Sequence, residues 1–366
     1  MNLKYLRYWV IIIVLSFTKA SAQTSEWTSP EVEQMYVRAK DYLSKGGIKQ
    51  AIVLLQQAIQ LSPETSLLYR DLAYCYQLNK EYNEAYLTIE PLIKNNQADE
   101  QSYAIAGNAL AGMGEKKKAK NTFEKGIKVY AHSGVLYHGL GKYYYDNNDP
   151  EYALRSWLDG IENDPSYHLN YLEAAKVYAG TDKPMWAIFY AEVFINMEKE
   201  TPRSMEARRL MLMAYTKVFT TIGTGYTPKY KEWSATAAPK ERDFENTVML
   251  TLLQLAPIMS GGITTENLTM LRTRLAMEWM ENYAVKFPYS LFTYHDKLLR
   301  EGQFDAYNQW LFGKAENAVL FESWIKFNPN AMAGITAWMQ QNRYYPTSAD
   351  FYNAKEVGSL FAKKKK

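Results

Sequence analysis

Residues 134–167 read GVLYHGLGKYYYDNNDPEYALRSWLDGIENDPSY, and the placing of their small residues decides the fold. Gly141 precedes Ala153 by twelve residues, with Tyr144 and Trp157 as the large partners of each. The same four positions recur every 34 residues in both directions. Ala39, Ala73 and Ala175 stand with Gly107 in the place of Gly141, and Ala51, Ala85, Ala119 and Ala187 in the place of Ala153. Tyr42, Tyr76, Leu110 and Tyr178 take the place of Tyr144, and Leu55, Ile89 and Phe123 that of Trp157, with Ala191 as a weak fifth. Five units run in one register from Val32 to Thr201, and such self-similarity is the mark of a stacked repeat.

Two small positions locked to two large ones describe a helical hairpin. The early small residue lets the first helix approach the second, and the later alanine lets the next unit approach in turn. Lys45-Gly46-Gly47, Leu78-Asn79-Lys80, Gly112-Met113-Gly114 and Asp146 to Pro150 supply turn chemistry between the helices. Pro63 and Pro165 stop two of the second helices, because proline lacks the N–H and clashes with the preceding turn. On Tyr137-Leu140-Gly141-Tyr144, Ala153-Trp157-Gly160 and Pro165, the segment resembles tetratricopeptide repeats. The resemblance covers about 170 of the 366 residues. It implies an all-α solenoid, a binding scaffold and a peptide or protein partner.

In such a solenoid the first helices line the inner face, and helical spacing turns positions 5 and 9 of each unit into it. These are Tyr36 and Lys40, Arg70 and Tyr74, Ala104 and Asn108, His138 and Lys142, and Leu172 and Lys176. Cations or histidine occupy four of the five units and no acid occupies any. A groove floored by Lys40, Arg70, Lys142 and Lys176, with Asn108 and His138 between them and Tyr36 and Tyr74 at its mouth, suits an acidic peptide or a terminal carboxylate. Some tetratricopeptide proteins hold terminal carboxylates through Lys, Arg and Asn of their first helices; here Asn108 follows Lys40 by two units rather than one. Long basic side chains that merely keep the face hydrated are the alternative.

Ahead of the repeats, Lys4 and Arg7, the apolar run Val10 to Leu15 and Ala20-Ser21-Ala22 read as a secretory signal peptide over residues 1–22, followed by a linker, 23–31. The run is short against the roughly 20 residues a bilayer-spanning helix needs. The expectation is a periplasmic or secreted protein, cleaved before Gln23, in a Gram-negative type of envelope. Without Lys4, Arg7 and Lys19 of the leader, basic and acidic residues balance, so no global field steers the chain to nucleic acid. The Lys363-Lys364-Lys365-Lys366 run closes a basic tail, 351–366, read as a solvated end.

Beyond Arg203 the register fails while helical spacing persists. Residues 202–242 read as a helix (Met205, Leu210, Met213, Ala214, Val218) and a long loop from Ile222 to Arg242. Residues 243–350 read as a C-terminal helical module. In that module Val248 to Met259 is a core helix, and Thr264-Thr265-Glu266 caps a helix running to about Tyr283. Met277, Trp279, Met280, Tyr283 and Val285 crowd the same stretch. Gly302, Ala306, Trp310 and Gly313 mimic a sixth, degenerate hairpin. The tryptophans at 233, 279, 310, 324 and 338 are read as core rather than interface.

Catalysis has no visible seat. His132, His138, His168 and His295 show no metal spacing, and Tyr294-His295-Asp296 places a base beside an acid that points elsewhere on a helix. The lone Cys75 reads as a packed residue, and nothing points to a cofactor or metal. The resulting expectation is a non-catalytic envelope adaptor, and the alternative an enzyme whose active site lies in the C-terminal module and whose repeats recruit substrate.

Overall fold

The computed structural model describes residues 27–224 and 243–352. The expected signal peptide, Trp233, nearly all of the expected loop and nearly all of the basic tail lie outside the described residues. Ten helices form five hairpins: α1 (Pro30–Ser44) with α2 (Ile48–Leu61), α3 (Ser66–Leu78) with α4 (Tyr82–Lys94), α5 (Glu100–Gly112) with α6 (Lys116–Val129), α7 (Gly134–Asp146) with α8 (Pro150–Asn163), and α9 (His168–Gly180) with α10 (Pro184–Met197). Successive hairpins stack into an all-α solenoid, and the described residues contain no strand. Four of the five hairpin turns share one device. Gly46, Lys80, Gly114 and Asn148, spaced at the repeat period, all adopt the left-handed conformation, with φ of 78°, 65°, 80° and 61°. Glycine does this without steric penalty, asparagine tolerates it and Lys80 carries some strain.

The small and large positions meet as the period requires. Ala39, Ala73 and Ala175 are fully buried, as are Ala51, Ala85, Ala119, Ala153 and Ala187. A Cβ on Gly141 would lie 2.3 Å from Trp157 Nε1, and one on Gly107 would lie 2.6 Å from Phe123 Cζ. In units three and four the first helix therefore rests its small residue directly on the large residue of its own second helix. Trp157 is fixed by burial and by donating from Nε1 to the His138 carbonyl at 3.3 Å. Cys75 is buried and unpaired, and burial pushes its thiol up to about 12.

Among the described residues seven further α-helices of five residues or more follow. Thr201 and Ser204 form a capping box at the start of α11 (Pro202–Ile222). Asp243 caps α12 (Phe244–Leu255), and Thr264 caps α13 (Thr265–Asn282) by accepting from the Asn267 N–H. After α14 (Ser290–Arg300), Gly302 turns the chain at φ 67° into α15 (Phe304–Asn308), which continues through a π-helical turn, Gln309–Gly313. The last two are α16 (Ala318–Phe327) and α17 (Pro329–Gln341). Trp279, Trp310 and Trp338 are buried and Trp324 is half-buried. Val285 departs from its expected place: α13 ends at Asn282, and Val285 beyond it is fully exposed.

The C-terminal helices do not stand apart from the repeats. From Pro184 to Asn196 every residue of α10 is buried, because this last repeat helix is covered by the helices that follow as well as by α9. One apolar core runs from Ala153 and Trp157 through Trp186 and Phe189 to Trp279, Tyr307 and Tyr344. A helix apolar all round, such as PMWAIFYAEVFINM, is stable in water only when enclosed in this way.

Candidate partner-binding groove

Two adjoining cavities, of about 590 and 520 Å³, lie along the inner helices of units two to four. Both are lined by Gln77, Asn108, His138 and Gly139, so they form one trough. Lys40, Arg70 and Tyr74 stand on one side of this shared floor and Lys142 on the other. Tyr36 and Lys176 do not line it. The trough therefore gathers six of the eight residues expected from helical spacing.

Its electrostatics differ from that expectation. The inner face is not free of acids, because carboxylates one or more residues off positions 5 and 9 are within reach of the long basic side chains. Asp71, only 5% exposed, accepts from Tyr36 Oη at 2.9 Å, Lys40 Nζ at 3.1 Å and Arg70 Nε at 3.0 Å. Arg70 also donates from Nη1 to Asp99 Oδ2 at 2.6 Å. Lys142 pairs with Asp146 at 2.7 Å, one helical turn on. Lys176 lies 3.4 Å from Glu173 and 3.5 Å from Glu206. All four cations thus carry carboxylate partners within the chain.

His138 is not a cation at neutral pH. Burial, followed by the charges of Lys142, His168, Arg203 and Lys176, lowers its pKa to about 4. Its folded value lies below the unfolded one, so the unfolded chain takes the proton first. The contribution of neutral His138 to stability is complete above about pH 6.5 and is lost as pH falls. An NMR titration of the histidine side chains is expected to show no His138 transition between pH 8 and 5; a midpoint near 6.5 would contradict the burial.

The remaining polar groups of the floor are amides. Gln77 Oε1 is buried without a hydrogen-bond partner among the described residues, and the Asn108 side chain makes no hydrogen bond among them. Gln77 was absent from the residues singled out by spacing. It lies three residues after Tyr74 on the same face of α3, so carrying the spacing one turn further would have found it.

A second polar cluster, also unforeseen, lies at the joint with the C-terminal helices. Glu192 of α10 meets Arg272 of α13 through a two-pronged pair, Nη1 to Oε2 at 2.9 Å and Nη2 to Oε1 at 2.5 Å. His295 Nε2 and Tyr307 Oη donate to Glu192 Oε1 at 2.7 and 2.8 Å. Asp296 instead turns outward to Arg300. Burial opposes the Glu192 charge, but Arg272 and His295 outweigh it and hold the carboxyl well below its ordinary range. The one sequence signal was a single acid within an otherwise apolar α10. The cluster is sealed from solvent and is a structural joint. Among the described residues no group of three His, Cys, Asp or Glu is placed to hold a metal ion, and no helix is long and apolar enough to cross a membrane.

Residues 42–111 match the tetratricopeptide repeat family model. The heat shock protein sti1 homolog of Schizosaccharomyces pombe is 28% identical over 108 residues, which are 30% of this chain and 18% of that protein. The chain therefore spans less than a fifth of the length of this curated relative. Among solved structures, pilF of Pseudomonas aeruginosa aligns at 16% identity over 56% of this chain and 97% of its own, with a TM-score of 0.41. A tetratricopeptide repeat protein of Parabacteroides merdae aligns at 13% identity over 74% of this chain and 99% of its own, with a TM-score of 0.37. A thermophilic repeat protein of Thermus thermophilus gives 14% identity over 50% and 99% of the two chains, at 0.43.

Proposed function

We propose, for a chain whose first five helical hairpins are tetratricopeptide repeats, a non-catalytic scaffold that holds an extended segment of a protein partner in the trough of units two to four. The continuous floor shared by the two cavities carries this reading, since it offers length, concavity and open hydrogen-bonding amides together. Gln77 and Asn108 meet the partner's backbone. Tyr74, with Tyr143 and Tyr167 on the walls, supplies contact area. Lys40, Arg70 and Lys142 receive the partner's acidic groups or its terminal carboxylate by exchange with Asp71, Asp99 and Asp146. Exposed pairs are worth only about 0–1 kcal/mol each, so such exchange sets orientation more than affinity. Tyr36 and Lys176 flank the site.

Tryptophan at Asn108 fills the trough without touching the packed seams. Asn108→Trp is expected to weaken the native complex at least tenfold while melting like the parent. Leu87→Ser, on the exposed outer side of α4, should leave binding unchanged. Undiminished binding by Asn108→Trp would remove the trough as the site.

We place the scaffold in the cell envelope, exported by the leader that Lys4, Arg7, Val10 to Leu15 and Ala20-Ser21-Ala22 compose. Mass spectrometry of the mature chain should find Gln23 first. An intact Met1 on the protein purified from its source would contradict export.

A further inference from the structure

Asn196, the next-to-last residue of α10, has an unmet need. Its Nδ2 donates to the Glu192 carbonyl at 3.0 Å and to Tyr307 Oη at 2.7 Å. Tyr307 spends its own hydrogen on Glu192 Oε1, so its oxygen can only accept, and the Asn196 amide cannot be turned around. The Oδ1 left over is buried and has no partner among the described residues. An orphaned buried acceptor costs roughly as much as a lost hydrogen bond and calls for an explanation, of which a donor supplied from outside the chain is one.

Asn196 lines a cleft of about 440 Å³ between the end of α10 and the end of α17, outside the repeat trough. Two cations share the cleft without a counter-ion. Lys199 Nζ donates to the Met339 carbonyl at 3.2 Å and has no carboxylate within 4 Å among the described residues. Arg343 makes neither a hydrogen bond nor an ion pair among them. The two repel each other: burial, then the charge of Arg343, lowers the Lys199 pKa. Met197, Met339 and Tyr345 supply apolar wall beside the polar Ser166 and Gln340. The cleft thus asks for an oxyanion, a hydrogen-bond donor close to it, and an apolar group. A fully ionised phosphate or a simple carboxylate lacks the donor. A peptide's last residue carries all three, since its amide N–H lies one residue's backbone from the terminal carboxylate.

We propose that this cleft binds the free carboxyl terminus of a peptide, with the carboxylate between Lys199 and Arg343, the last amide N–H on Asn196 Oδ1, and an apolar final side chain against Met197, Met339 and Tyr345. The site is independent of the repeat trough and gives the protein a second point of attachment.

Fluorescence anisotropy of the full mature chain tests this with a fluorescein-labelled Gly-Ala-Ala-Ala-Leu probe in three forms: free acid, C-terminal amide, and free acid with the last amide N-methylated. The free acid is expected to bind saturably, and the other two at least tenfold more weakly. Lys199→Gln and Arg343→Gln should each weaken the free acid about tenfold, as loss of a charge-assisted contact does. Arg343 is exposed and Lys199 half-buried; if one variant melts below the parent, the other decides. Asn108→Trp should leave this binding unchanged, which separates failure here from failure of the trough. Absence of saturable binding, equal binding of acid and amide, or indifference to both glutamine variants would overturn the proposal. Displacement by an equal concentration of inorganic phosphate or acetate would also do so, by reducing the cleft to a simple anion site.

Discussion

Leucine in place of Gly141 is expected to destabilise the protein by about 3 kcal/mol or more, at the upper end of what overpacking costs. Even the first added atom, Cβ, falls 2.3 Å from Trp157 Nε1 and 2.5 Å from its Cδ1. The indole has no room to retreat, being buried in the core and tied to the His138 carbonyl. For a domain of roughly 150–250 residues each kcal/mol moves the melting midpoint by about 2–4 °C, so the loss should be near 10 °C by circular dichroism. Gly180 is the control. Nothing lies within 4 Å of a Cβ placed there, so Gly180→Ala should be neutral or slightly stabilising. A Gly141→Leu protein that melts with the parent would show that units and helices are out of the register described.

Arg272→Met is expected to cost about 3–5 kcal/mol, because it strands the Glu192 carboxylate in the core. Both side chains are at most 2% exposed, so water does not replace the lost guanidinium. The double replacement Glu192→Leu with Arg272→Met should recover much of the loss, since a buried pair exchanged for apolar groups is often neutral. In the parent protein the Glu192 carboxyl lies below its unfolded value, so its contribution to stability is full above about pH 4.5 and fades as pH falls further. The single variant should behave oppositely. With the guanidinium gone and only the His295 and Tyr307 hydrogen bonds left, the buried carboxyl favours its proton, and acidification from pH 7 to 5 should stabilise Arg272→Met relative to its value at neutral pH. Urea unfolding at both pH values measures this, and a single variant as stable as the parent would show the pair to be solvated.

The solenoid was legible because each unit repeats the same local contact: Gly141 on Trp157 and Gly107 on Phe123 lie within one hairpin, so their spacing is written into a 34-residue stretch. The joint was not. Glu192 finds Arg272 80 residues away and His295 103 residues away, with no period to align them. The inner face was legible in position and misread in charge. Positions 5 and 9 place Arg70 and Lys142 along the trough, yet Asp71 and Asp146 neutralise them from positions that a two-column reading omits. The enclosure of α10 likewise appears only in three dimensions. Its consequence is practical: cutting the chain after the fifth hairpin exposes Trp186, Phe189 and Phe194, so partner binding is best measured on the whole chain.

Site-specific photo-crosslinking in the source cell asks most directly whether the inner trough holds the partner. Benzoylphenylalanine is placed at Asn108, on the trough floor, and in a second strain at Leu87, on the outer side of α4. The expected result is one reproducible protein adduct from position 108, mapped by mass spectrometry to a single extended segment of that protein, and none from position 87. An adduct from position 87 with none from position 108 would contradict the trough and move the partner to the outer face.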